Sequence, residues 1–91
     1  MRDRLRKFLS EVDQDILCVD GYDDSIIGYT YLNGNYKAAY DMNKMVDICM
    51  SKGDMSIEDA IGYLEHNCWT AYHGASTPVF IQIIRDEDIN E

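Results

Sequence analysis

Ser25-Ile26-Ile27-Gly28-Tyr29-Thr30-Tyr31-Leu32-Asn33-Gly34-Asn35-Tyr36-Lys37-Ala38-Ala39-Tyr40-Asp41 is the stretch whose reading decides the fold. Two runs rich in β-branched and aromatic residues flank Asn33-Gly34, the dipeptide that suits a tight type I′ hairpin loop because both loop residues need positive φ. With that loop Leu32 pairs with Asn35, and the register follows by counting. Tyr31 falls opposite Tyr36, Tyr29 opposite Ala38, and Ile27 opposite Tyr40. Side chains alternate along a strand. Ile27, Tyr29, Tyr31, Tyr36, Ala38 and Tyr40 therefore share one face, and Ile26, Gly28, Thr30, Leu32, Lys37, Ala39 and Asp41 the other.

Beyond the hairpin, Met42, Met45, Val46, Cys49 and Met50 recur at helical spacing, with Asp41 placed to cap the start and Gly53 to follow the last turn. A further helix opens at Ser56-Ile57-Glu58-Asp59, close to a capping box. Its apolar stripe runs through Ile57, Ala60, Ile61, Leu64, Cys68, Ala71 and Tyr72 to an end near Gly74. Gly62 lies inside it, a position where glycine suits close packing. Pro78 leads into Val79–Ile84, a strand expected beside the one that begins at Ser25. Upstream, Leu5, Phe8, Leu9 and Val12 mark a first helix within residues 1–14, followed by a short extended piece and a turn through Asp20–Asp24. The predicted order is α-β-β-α-α-β. It describes an α+β two-layer sandwich whose three-stranded, antiparallel-containing sheet carries helices on one face. Residues 1–91 make one domain, and 85–91 form an acidic, frayed tail.

The formal charge is −9. Arg2, Arg4, Arg6 and Lys7 against Asp3 give the first seven residues +3, which leaves −12 over the rest. Nucleic acid and anionic membrane both require a basic footprint, so neither is an expected partner; a protein with a basic surface is. Cys18, Cys49 and Cys68 are odd in number and lack a C-x-x-C pair, which points to free thiols in a reducing compartment. The start of the chain has no apolar signal-peptide core, and no apolar run approaches the ~20 residues that span a bilayer. A cytoplasmic protein is expected.

Asp20-Gly21-Tyr22-Asp23-Asp24-Ser25-Ile26-Ile27-Gly28 resembles the D-G-F-D-D-A-I-I-G opening of an uncharacterised family of small phage- and bacterium-encoded proteins. Ala39-Tyr40-Asp41, then Ser56-Ile57-Glu58-Asp59-Ala60-Ile61 with Tyr63 and Asn67, continue the likeness. Ala71-Tyr72-His73-Gly74 with Thr77-Pro78-Val79-Phe80 is similar to the family's A-Y-x-G-x-x-T-P-x-F ending. The resemblance spans roughly residues 17–81 and implies a phage or prophage setting without specifying any chemistry. His66 stands where the family has Phe, so no role passes to it.

Three groups of residues carry candidate chemistry. Asp20, Asp23 and Asp24 cluster carboxylates that a hard cation would accept, although the spacing is not that of an EF-hand and Asp beside Gly before a strand is most often turn chemistry. His66, Cys68 and His73 invite zinc or thiol–imidazole ideas. On an α-helix, however, the two histidines sit roughly 10 Å apart along the axis, too far to share an ion directly. The tyrosine face is the third. Tyr29, Tyr31, Tyr36 and Tyr40 either pack beneath helices with hydroxyls at the rim or stand out as a contact surface, with Trp69, Tyr72 and His73 at its edge. Phosphate loops, H-E-x-x-H, G-x-S-x-G and catalytic triads do not occur, and no cofactor is expected. The leading expectation is a non-catalytic, phage-associated protein that binds a host macromolecule, such as an inhibitor of a nucleic-acid-binding or defence protein. A small-ligand binder or sponge and a metal-dependent enzyme built on the Asp cluster are the alternatives, and homodimerisation through a strand edge stays open.

Overall fold

Asn33 and Gly34 both take positive φ, 54° and 83°, and the hairpin closes as those residues require. The computed structural model describes the backbone of residues 2–89 and the side chains of 4–89. The hairpin strands are β1 (Ile26–Leu32) and β2 (Asn35–Asp41). Leu32 pairs with Asn35, Tyr31 with Tyr36 and Tyr29 with Ala38. The counting fails further from the loop. Register shifts between Ile26 and Gly28, so Tyr40 pairs with Ile26 rather than Ile27. A bulge sets one extra residue against the partner strand and leaves it unpaired in the ladder; Ile27 is exposed, as Tyr29 and Tyr31 are.

Around the hairpin lie α1 (Arg2–Val12), α2 (Met42–Gly53), α3 (Ile57–Leu64) and β3 (Val79–Ile81). With a mixed three-stranded sheet they make an α+β fold. The first helix stops at Val12, short of residue 14, where the Asp13 carboxylate takes the N–H of Asp15 at 2.9 Å in a turn. The Asp41 carboxylate accepts the N–H groups of Asn43 and Lys44 and starts α2. Its left-handed terminator is Asp54 (φ 52°), one residue later than Gly53. The Ser56 hydroxyl accepts from Asp59 N–H at 3.2 Å and starts α3.

Two elements depart from expectation. The third helix keeps α geometry only to Leu64 and continues as a π-helical turn over Glu65–Trp69, where the Thr70 hydroxyl donates to the Glu65 carbonyl at 2.7 Å. The second is β3. It spans three residues, not six, and runs parallel beside β2, pairing Ala39 with Val79, Tyr40 with Phe80 and Asp41 with Ile81, so the sheet order is β1-β2-β3. It does not lie beside β1. The chain leaves β2 through two helices and returns in the same direction, and such a crossover delivers a parallel neighbour. Of the acidic tail, Asp86–Asp88 form a short 3₁₀ turn whose Asp88 carboxylate takes Arg85 N–H at 3.0 Å; residues 90 and 91 lie outside the described residues.

One core gathers Leu9 from α1, Tyr22, Ala38 and Tyr40, then Met45, Val46 and Cys49 from α2, and Ala60 and Leu64 from α3. Fully burying a Leu or Met side chain stabilises by roughly 1.5–3 kcal/mol, so these contacts outweigh any surface ion pair. Gly62 does not serve close packing, because a β-carbon there would meet no atom beyond its own helix within 4 Å.

Candidate functional site

The tyrosine face divides in two. Tyr40 is 0 % exposed, and its hydroxyl accepts the Val19 N–H at 2.7 Å. Burial raises its pKa well above the ordinary tyrosine value. It cannot belong to a contact surface, because α1, α2 and Phe80 of β3 (ring centroid 5.7 Å away) close over it. Tyr29, Tyr31 and Tyr36 lie nearer the loop. Their rings form a chain with Phe8 of α1: Phe8 to Tyr29 6.1 Å, Tyr29 to Tyr36 5.9 Å, Tyr31 to Tyr36 4.8 Å. Phe8, Tyr29 and Tyr31 are exposed, Tyr31 by 62 %.

Trp69, Tyr72 and His73 do not form one edge. Trp69 is half-buried against the core and its indole N–H points at the Met45 sulfur, 3.5 Å away; Tyr72 is 77 % exposed. His73 is exposed at the edge of a cavity. Of the acidic cluster, Asp23 is gripped by Arg6 through Nε (2.7 Å) and Nη2 (2.8 Å), and the same guanidinium reaches Asp20 at 3.3 Å. That fork raises the Arg6 pKa and ties α1 to the turn after Val19. Among the described residues, no three His, Cys, Asp or Glu side chains stand close enough to hold a metal ion together.

The cavity measures about 680 Å³, within the range of small-molecule sites. Four separated stretches build it. Leu17–Asp20 and Tyr22 form one wall, and the end of α2 contributes Cys49, Lys52, Gly53 and Met55. From α3 and its π-turn come Tyr63, Leu64, Asn67 and Cys68, and from the returning chain Ala71, His73, Thr77, Pro78 and Phe80. Local chemistry holds each wall. The Tyr40 hydroxyl pins Val19, and Ser25 donates to the Tyr22 carbonyl at 2.6 Å, fixing the 3₁₀ turn beside Tyr22. The Thr77 hydroxyl donates to the Gly74 carbonyl and accepts His73 N–H, both at 2.7 Å, around a left-handed Gly74 (φ 105°).

All three cysteines are free thiols, and all three line this cavity. Only Cys49 is buried outright; its thiol lies 3.9 Å from the Met55 sulfur. Burial raises the pKa of the Cys68 thiol and so keeps it protonated and weakly nucleophilic near neutrality. Burial raises the Tyr22 phenol likewise. The lining thus offers apolar and soft sulfur surface with a few polar handles. The Lys52 ammonium lies 4.7 Å over the Tyr22 ring and abuts Gly21 (φ 88°), where a β-carbon would run into it. The only signal in the sequence was three cysteines among apolar neighbours. It does not reveal a cavity without the fold.

Comparison with protein-family models, curated proteins and solved structures finds no match. Among the described residues no helix is long and apolar enough to cross a membrane.

Proposed function

We propose that this chain is a small-ligand-binding protein, a carrier or sponge, and that the cavity beside the three cysteines is its binding site. The observation that carries the reading is a 680 Å³ space with predominantly apolar walls to which Tyr22, Lys52, Asn67 and His73 add polar groups. Ligand sites combine apolar area for affinity with a few placed polar groups for orientation. The protonated Cys68 thiol supports binding rather than covalent chemistry. The neutral fluorophore N-phenyl-1-naphthylamine tests it. Wild-type protein should bind the dye with enhanced emission, and Ala71→Trp, which fills the cavity, should abolish the signal while keeping a cooperative melt. Equal emission from both proteins would refute the site.

A second reading rests on the exposed ring chain Phe8, Tyr29, Tyr31 and Tyr36 on a chain of charge −9. Tyrosine-rich patches favour protein contacts, and the resemblance to phage-encoded proteins supports a host protein with a basic surface, met in the host cytoplasm. Capture from host lysate should then weaken with salt and with Tyr31→Ser. A partner held equally by the variant would remove the patch from consideration.

A further inference from the structure

Resting on the cavity reading above, we propose that the ligand is an amphiphilic monoanion, an apolar body ending in one carboxylate or comparable group, with Lys52 as the anion's partner. The cavity walls are chiefly apolar, from Leu17, Leu64, Pro78 and Phe80, so the body of the ligand must be apolar too. The charges are not balanced within the lining. Its carboxylate, Asp20, faces Arg6 at 3.3 Å. Lys52, by contrast, forms no ion pair with any carboxylate among the described residues, in a chain where acids outnumber Lys and Arg by 17 to 8.

The ammonium is nonetheless held. It rests over the Tyr22 ring at 4.7 Å, and the missing side chain at Gly21 makes the space it occupies. A cation already localised by a ring loses less freedom on meeting an anion. A ligand whose chain enters the sulfur-lined interior brings its head group to this rim. Affinity comes from the apolar chain and selection from the charge.

The test uses the full chain and three ten-carbon probes, decanoate, 1-decanol and decyltrimethylammonium, each below its aggregation concentration, displacing N-phenyl-1-naphthylamine. Decanoate should displace the dye at roughly three- to tenfold lower concentration than decanol, the range for a hydrogen-bonded ion pair at a partly wet site. Decyltrimethylammonium should be the weakest. Lys52→Met should bring decanoate to the level of decanol and leave decanol unchanged; Lys52→Arg should keep the preference, and added salt should shrink it. Equal displacement by decanoate and decanol from the wild type, or a decanoate preference that survives Lys52→Met, overturns the anion assignment while the cavity reading stands. Dye that does not bind, or that none of the probes displaces, overturns both. Should Lys52→Met fail to fold, the wild-type comparison still decides.

Discussion

Removing one oxygen from the centre of the core should cost more than removing the same oxygen from the hairpin tip, and Tyr40→Phe measures how much. The ring and its packing against Phe80 stay; only the hydroxyl that accepts Val19 N–H at 2.7 Å is lost. A backbone donor left unpaired by such a deletion costs about 1–3 kcal/mol. Val19 is half-buried, so water recovers part of this, and the expected loss is about 1–2 kcal/mol. For a domain of this size that lowers the melting temperature by roughly 5–12 °C. Urea unfolding followed by Trp69 fluorescence should show a lower midpoint at unchanged slope, because the surface exposed on unfolding barely changes. Tyr31→Phe is the control: that side chain is exposed, and its loss should stay within about 0.5 kcal/mol. Equal stability of the two variants would refute the role given to the Tyr40–Val19 bond.

Gly62→Ala should stabilise by about 1 kcal/mol, since the position is helical, exposed and free of neighbours, and a thermal melt should rise by roughly 4–8 °C. Arg6→Lys keeps the charge but cannot fork onto both Asp23 oxygens, so it should lose on the order of 1 kcal/mol in urea, whereas Asp20→Ala, at a freely exposed side chain, should leave the midpoint unchanged. Tyr22, Tyr40 and Cys68 all have raised pKa values, so the folded state holds these protons more tightly than the unfolded chain. Their stabilisation is complete below the ordinary cysteine value of about 8.5 and is lost as pH climbs past it and then past about 10 for tyrosine. Urea midpoints should therefore fall between pH 8 and 11, with the earliest part of the fall missing in Cys68→Ala; a flat profile would contradict the burial of these groups.

Local signals were legible where the local chain decides. Asn33-Gly34 fixed the loop, Asp41 and Ser56 capped the helices foreseen for them, and the register held for the residues nearest the turn. It failed at Ile27, because a bulge depends on what packs beneath the strand rather than on the strand's own alternation. The position of β3 was not legible either. Val79–Ile81 pairs with whichever edge the crossover reaches, and that is set by the path of α2 and α3. The tyrosines illustrate the same limit. Tyr36 and Tyr40 have equal propensity and share a face, yet Tyr40 is buried in the core and Tyr36 only half-buried. The cavity was least legible of all. Its walls come from four stretches, and residues such as Leu64 and Phe80 read as core in any periodicity argument.

The cavity and the core bond at Tyr40 are physically linked, which sets a last expectation. Val19 lines the cavity, and its backbone is held by the hydroxyl that Tyr40→Phe removes. Freed from that anchor, residues 17–20 must be ordered by the ligand itself, and each residue fixed costs about 1 kcal/mol or more of conformational freedom. Partial loosening of two residues should therefore weaken decanoate about tenfold, since 1.4 kcal/mol is a factor of ten in affinity. Lys52→Met should weaken decanoate but not decanol, because it removes a charge and leaves the wall in place. Tyr40→Phe should weaken both equally, because it loosens the wall and leaves the charge. Displacement titrations of the two probes on the two variants separate these effects. If Tyr40→Phe spared both probes, the Val19 segment would be rigid without its hydrogen bond, and the coupling between core and cavity would be absent.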